Sequence, residues 1–264
     1  MRLSICIPTY NRAVFLDELL ASIASQVSIE HTPLLEVCVS DNASTDDTAA
    51  VVARWQSHLP VNLVYHKNSE NLGADRNYLQ AVAIASGDFC WLMGSDDRLE
   101  PGAIDVLLAR IDDNSDLNVA ILSRNYYDCS FGSLLPIRQP LRRAFTNDVR
   151  FSGARQAIDH ITYELGYLSV LVFRRACWLQ VAGHEEFIGS AYVHVYKLLA
   201  MIRDCSGAVM YLSRPLVGWR ANNDSFLNEL KYLAGSGSTF SAMTGLLHDS
   251  SAQAPQSIGA SLTR

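Results

Sequence analysis

The sequence predicts an α/β protein: a mainly parallel sheet with helices on both faces, extended by a smaller second half. Three observations carry that prediction. Over the first ~115 residues four short apolar, β-branched runs alternate with amphipathic segments, the pattern of crossover units feeding a buried parallel sheet. Each run ends in a polar turn, and the segment after it opens with helix-start chemistry. With 264 residues, 49% apolar and 18% charged, the chain is long enough to bury a full core.

The first run, RLSICI, stops at Pro8, after which Leu16, Leu19, Leu20, Ile23 and Val27 recur at helical spacing. The second, LLEVCVS (34–40), leads through Ser44-Thr45-Asp46-Asp47, read as a capping box, into the helix AAVVARW. VNLVYH (61–66) passes through Asn68 to Asn71 into a helix near 73–86 that Gly87 can terminate. DFCWLM (88–93) runs into Asp96 and Asp97, and Pro101 starts a helix with Ile104, Leu107, Leu108 and Ile111 on one face. Residues 1–115 are therefore expected to form a Rossmann-like half that binds a ligand at its strand ends.

Beyond residue 115 the rhythm weakens. NVAIL (118–122) and YLSVLVF (167–173) read as strands separated by a loop rich in Arg and Pro. Helices near 174–181 and 192–203 and a strand near 208–213 follow. We expect 116–248 to be a second half of the same domain and 249–264, small, polar and aperiodic, to be a loose tail.

The 21 Lys and Arg against 27 Asp and Glu give a formal charge of -6, and no long basic run appears, so nucleic acid is not expected as a partner. Six cysteines at 6, 38, 90, 129, 177 and 205 show no paired spacing and suit a reducing cytosol. The first strand begins almost at Met1, leaving no room for a signal peptide. No apolar stretch approaches the ~20 residues of a spanning helix. A cytoplasmic protein is expected, with the inner face of a membrane as a place of peripheral contact.

In an open parallel sheet ligands bind outside the carboxyl ends of the strands. Here those ends are Pro8-Thr9-Tyr10-Asn11, Asp41-Asn42-Ala43-Ser44, Lys67-Asn68 and Gly94-Ser95-Asp96-Asp97, all polar. Singly, each is explained by turn and cap chemistry; four at one edge point to a ligand. Neither GxGxxG nor GxxxxGK[ST] is present. A bound diphosphate would then need a cation held on carboxylates, and Asp96 and Asp97 suit Mg²⁺ or Mn²⁺.

The blocks SICIPTYNRAVFLDELLASI, VCVSDNASTDDT and NLGADRNYLQAVAIASGDFCWLMGSDD, with their spacing, resemble the family 2 glycosyltransferases of GT-A fold. The resemblance covers about the first 110 residues well. It implies transfer of a sugar, with inversion, from a nucleotide diphosphate donor to an acceptor hydroxyl on a glycan or lipid-linked molecule. It also assigns roles. Pro8, Thr9, Tyr10, Asn11, Asp41, Asn42 and Ser44 would hold base and ribose. Gly73, Arg76 and Asn77 would reach the base or diphosphate, and Ser95 and Asp96 the donor. Asp96, supported by Asp97, would bind the metal. The family's Asp-x-Asp motif has Gly94 at its first position here, which puts one contact in question.

The family's general base belongs to a Glu-Asp pair opening a helix in the second half, where this chain has Ala191-Tyr192. His194, with an ordinary pKa near neutrality, is the first substitute, and Glu185 or Glu186 the second. Segments GSAYVH and LVGWRANNDSF look like the branch that includes abequosyltransferases and other O-antigen enzymes, with Arg220 and Asn222 or Asn223 placed to clamp a leaving diphosphate. The loop LLPIRQPLRRAF, with Arg138, Arg142 and Arg143, would suit an acceptor or anionic headgroups. Two rivals stand beside this reading. An inert sugar-nucleotide-binding protein would explain Gly94 and the missing pair, and a nucleotidyltransferase would release pyrophosphate.

Overall fold

The computed structural model describes residues 2–136, 139–221 and 223. The expected alternation is present: β1 (Leu3–Thr9), α1 (Ala13–Ala24), β2 (Leu35–Asp41), α2 (Thr48–Gln56), β3 (Asn62–Lys67), α3 (Ala74–Ala83) and β4 (Phe89–Leu92). There follow β5 (Arg98–Leu99), α4 (Ala103–Asp113), β6 (Leu117–Tyr127), α5 (Pro140–Ala144), β7 (Val149–Arg150) and α6 (Ala154–Ile161). The chain then forms β8 (Leu171–Arg174), α7 (Arg175–Gln180), α8 (Val193–Asp204) and β9 (Ala208–Arg220).

Among the described residues one sheet takes the order β3-β2-β1-β4-β8-β6-β9-β5, with β7 paired to β9. Strands β3, β2, β1 and β4 are parallel, in register Ile5↔Val37 and Ile5↔Trp91. β8 is antiparallel to both β4 and β6, and the parallel run stops there. Every residue of β1 and β2 is buried, the signature of a sheet covered on both faces. Leu16, Leu19, Leu20 and Ile23 place the apolar stripe of α1 on that sheet.

Burying the strand starts brings a carboxylate inside, and the sequence satisfies it locally. Glu36 accepts hydrogen bonds from the Ser4 hydroxyl at 2.6 Å and the Ser86 N–H at 2.7 Å, and pairs with Arg2. Gly87 is required beside it, because a Cβ there would come 2.6 Å from Ser4 Oγ and 2.8 Å from the Arg2 carbonyl. Its role is close approach between chain segments, whereas α3 ends earlier, at Ala83.

Several boundaries differ from the sequence reading, each for a local reason. The expected box at residues 44–47 is replaced by Asp46, whose carboxylate accepts the Thr48 N–H and hydroxyl and also the Ala13 N–H, so one side chain serves the starts of both α2 and α1. Pro101 lies ahead of α4, which begins after Gly102 in a left-handed conformation. Residues 168–170 form a tight 3-10 turn in place of strand, since the Ser169 carbonyl must accept the buried Trp91 indole N–H at 2.8 Å. β9 continues past 213 to Arg220, crossing register shifts near Pro215. Arg138, Asn222, the remainder of 224–248 and the expected tail 249–264 lie outside the described residues. No described helix is long and apolar enough to cross a membrane.

Candidate active site

The carboxyl ends of β1, β2 and β4 meet at one edge, and each leads into a turn fixed by its own side chains. After β1, Pro8 is buried in register with Ser40, and Asn11 takes a left-handed φ of 50°. That conformation is affordable for Asn because its side chain docks the turn: Asn11 donates its N–H to Ser44 Oγ at 2.9 Å, and its Oδ1 accepts the Thr45 N–H at 2.8 Å. Thr9 Oγ1 is buried with no hydrogen-bond partner among the described atoms, whereas the Tyr10 ring is 39% exposed at the rim.

The turn after β2 is a frame. Asp41 is fully buried; one oxygen accepts the Ser44 N–H at 2.8 Å and the other the Tyr65 hydroxyl at 2.7 Å. Tyr65 is consequently pushed to a higher pKa by burial and by Asp41. Asn42 bonds Asn71 Oδ1 and accepts the Leu72 N–H, and Asn77 takes the Ser40 hydroxyl at 2.8 Å while donating to the Ser40 and Thr9 carbonyls. The polar groups expected on Asp41, Asn42, Ser44 and Asn77 for a nucleotide thus spend hydrogen bonds on holding three strand ends together. Arg76 is exposed, and Gly73 has open space around it at φ 80°.

At the end of β4 the two acids separate. Asp97 is 4% exposed, accepts Oδ2 bonds from the Tyr167 and Ser169 hydroxyls, the former at 2.6 Å, and takes the Arg220 N–H at 3.3 Å on Oδ1. Burial first, then the charge of Asp96, raises its pKa, against the pull of those bonds. Asp96, by contrast, keeps 21% side-chain exposure. Its Oδ2 sits 2.6 Å from Arg12 Nη1 and accepts the Asn223 amide at 2.8 Å. Ser95, just ahead of them in sequence, is buried.

Gly94 keeps the space beside these acids open: a Cβ there would lie 3.2 Å from Asp96 Oδ1, Asp97 Oδ2 and Ser169 Oγ. The donor set fits a hard dication, with oxygen ligands, a half-open carboxylate and a cationic group, Arg12, already drawn to it. No cluster of three or more metal-binding side chains exists among the described residues, so phosphate oxygens would have to complete the coordination.

Arg220 does not stand free to clamp a ligand. Its Nε donates to the Asp96 carbonyl at 2.9 Å, Nη1 to the Cys129 carbonyl at 2.5 Å and Nη2 to Glu18, and Phe131 and Phe15 lie over it. It is an internal tie that holds the acidic turn against α1 and the loop after β6. Of its two expected companions, Asn223 reaches Asp96, while Asn222 lies outside the described residues.

The ground for His194 as base is removed. The residue is 2% exposed on α8, and burial lowers its pKa from 6.5 to about 4, with the backbone of Gly166 and Leu165 offsetting this only in part. Neither ring nitrogen makes a hydrogen bond of good geometry, although the Leu165 and Gly166 backbone lies near enough to favour the charged ring, and the ring stands edge-on to Tyr78 at 5.4 Å. A buried histidine with that pKa is poorly matched to neutral proton transfer. Glu185 and Glu186 lie exposed on the 3-10 turn His184–Phe187, with Glu185 3.8 Å from His184.

Sequence reasoning passed over Asp75. This buried carboxylate in the first turn of α3 accepts the N–H groups of Gly189, Ala191 and Val193 at 2.7, 2.8 and 3.0 Å. Those bonds hold Ala191 at a φ of 66° and fix the start of α8 beside the strand-end site. An acid in a first helical turn reads as dipole compensation, which hid its second role. Arg12 was visible as the residue after Asn11, but nothing in sequence joined it to Asp96, 84 positions away.

A polar parallel-sheet edge with a half-open carboxylate and no glycine cradle is in keeping with the GT-A fold expected from the sequence. The comparisons agree. The S. aureus TarS 1–349 crystal structure superposes with a TM-score of 0.65 at 22% identity, covering 89% of this chain and 65% of that one. A Pyrobaculum calidifontis mannosyltransferase solved with GDP-Man and Mn²⁺ gives 0.62 at 17%, covering 96% and 66%. The model of glycosyl transferase family 2 matches residues 4–168. Abequosyltransferase RfbV of Salmonella typhimurium is 34% identical over 86% of this chain, which spans 68% of that relative. This chain belongs to glycosyltransferase family 2.

Proposed function

We propose that the protein transfers a sugar from a nucleoside diphosphate donor to the hydroxyl of a glycan or lipid-linked acceptor, with inversion, in the synthesis of a surface polysaccharide, O-antigen or glycolipid. The observation that carries the reading is the pairing at the β4 end: Asp97 locked inward and Asp96 left half-open beside a cationic partner. RfbV, a Campylobacter jejuni glucosyltransferase named for an undecaprenol-linked substrate (32% identical over 41% of this chain, 34% of that one) and TarS crystallised with UDP-GlcNAc support the substrate classes. UDP is the first carrier to test, with CDP and dTDP beside it.

In this reading Asp96 would hold Mg²⁺ or Mn²⁺ together with the donor's phosphates, and Asp97 sets the position of its neighbour. The cation would supply charge stabilisation for the departing diphosphate. The chain itself does the rest. Tyr10 offers a ring face to the base, Thr9 Oγ1 an unused polar atom, and Arg76 an exposed positive charge. The acceptor oxygen bonds to the anomeric carbon as the carbon–diphosphate bond breaks, and its proton passes to a base. We assign that base to the exposed 184–187 turn, at Glu186 or Glu185. A protein acting in this way works on the cytoplasmic side, near a membrane where its acceptor is lipid-linked.

The test is product formation. Incubated with Mn²⁺, a panel of UDP-, CDP- and dTDP-sugars and candidate acceptors, the protein should release a nucleoside diphosphate, and EDTA should stop it. Tight nucleotide binding with no release across the panel would favour an inert binding protein, and pyrophosphate a nucleotidyltransferase. Glu186→Gln and Glu185→Gln identify the base, since losing it should cut kcat ~10²- to 10⁴-fold with KM little changed.

A further inference from the structure

We propose that Arg12 is the resident counter-cation of Asp96, so that a metal ion and the guanidinium compete for one carboxylate and the donor's diphosphate settles the exchange. This inference rests on the metal-site reading above and deepens it.

The geometry has four parts. Arg12 Nη1 lies 2.6 Å from Asp96 Oδ2, with 20% and 21% side-chain exposure, so the pair sits at the cleft wall with solvent on one side. The acidic turn does not depend on that pair for its place: Arg220 holds the Asp96 backbone through its carbonyl, and Asp97 is fixed separately by Tyr167 and Ser169. The Asp96 carboxylate can therefore change partner while the turn stays put. Arg12 is the N-cap of α1, on the turn carrying Thr9 and Tyr10, so a guanidinium released from Asp96 stays at the same sheet edge. Finally, Gly94 leaves the space beside Asp96 Oδ1 clear of side chain.

The physical consequence follows from charge. The Asp96 carboxylate, which takes the Asn223 amide and the Arg12 guanidinium on one oxygen, already faces a counter-charge, so a dication entering must displace a partner as well as shed water. A diphosphate offers the displaced guanidinium paired acceptors that match its fork, a better partner than one carboxylate oxygen. Cation and diphosphate should each raise the other's affinity, because linkage is reciprocal.

Removing the guanidinium should thus have effects of opposite sign. The test measures Mn²⁺ binding to the whole protein without nucleotide, from the free-ion signal in electron paramagnetic resonance. It then measures nucleoside diphosphate binding at saturating Mn²⁺ by calorimetry. Arg12→Gln should bind Mn²⁺ alone about tenfold more tightly than the native protein, the order expected for deleting a partly screened competing charge, and bind the diphosphate about tenfold more weakly. Arg12→Lys, which keeps the charge without the fork, should stay near native Mn²⁺ affinity and lose part of the diphosphate affinity. Equal or weaker Mn²⁺ binding by Arg12→Gln overturns the exchange, whatever Arg12→Lys does. Asp96→Asn separates the two ideas: if it binds Mn²⁺ as the native protein does, the metal site itself is misplaced. If it loses Mn²⁺ while Arg12→Gln gains nothing, only the exchange fails.

Discussion

Replacing His194 with leucine should make the protein more tolerant of acid. The ring is buried against Tyr78 with neither nitrogen in a well-formed hydrogen bond, so protonating it in the folded state means placing a charge where water is excluded. Its pKa falls from 6.5 to about 4 on folding. The unfolded chain therefore binds this proton more readily, and the native protein loses stability as pH drops through that window. At ~1.4 kcal/mol per pH unit the full loss is about 3 kcal/mol, of which about 2 kcal/mol has appeared by pH 5. His194→Leu lacks this titration, and the Asp97 titration, present in both proteins, cancels in the comparison. Urea unfolding followed by the fluorescence of buried Trp91 and Trp178 at pH 7 and pH 5 reads the difference. Leucine should change stability at pH 7 only modestly, since the ring makes no hydrogen bond of good geometry, and should lose about 2 kcal/mol less between the two pH values. Turnover should persist. A variant with the native pH slope, or one folded as well as the native protein but 10²-fold slower, would refute the reasoning by showing that His194 meets water or substrate.

Other perturbations probe the frame. Asp75→Ala would leave three N–H groups of the 189–193 stretch without their acceptor, at a cost of roughly 3 kcal/mol, and limited proteolysis should then cut near Gly189; resistance equal to the native protein would contradict the clamp. Arg220→Ala should cost about 3 kcal/mol in urea unfolding and weaken Mn²⁺-dependent nucleotide binding, because the acidic turn loses its tie. Arg220→Lys should fail to restore it, one ammonium being unable to reach three separate acceptors.

Much of this architecture was legible in sequence because its period is strong. β1 and β2 are buried on both faces and so read as unbroken apolar runs, and α1 shows its stripe plainly. The second half was harder. α5, β7 and α6 are short, and β9 carries Pro215 and register shifts, so neither period persists long enough to be read. At the site, the residue types were visible but their duties were not. Asp41, Asn42 and Asn77 look like ligand contacts because they are polar at strand ends, yet polar strand ends must also satisfy one another when buried. His194 looked poised for proton transfer because its ordinary pKa is, and only its burial moves it. Arg12 and Asp75 act on partners more than 80 residues distant, which spacing along the chain cannot register.

A crystal grown with Mn²⁺ and a nucleoside diphosphate, with diffraction recorded at the manganese absorption edge, puts the decisive question to Asp96. An anomalous peak at bonding distance from its carboxylate and from the phosphates, with Asp97 still on Tyr167 and Ser169, is the predicted result. A peak elsewhere, or a diphosphate bound with Asp96 facing only protein, would contradict the site.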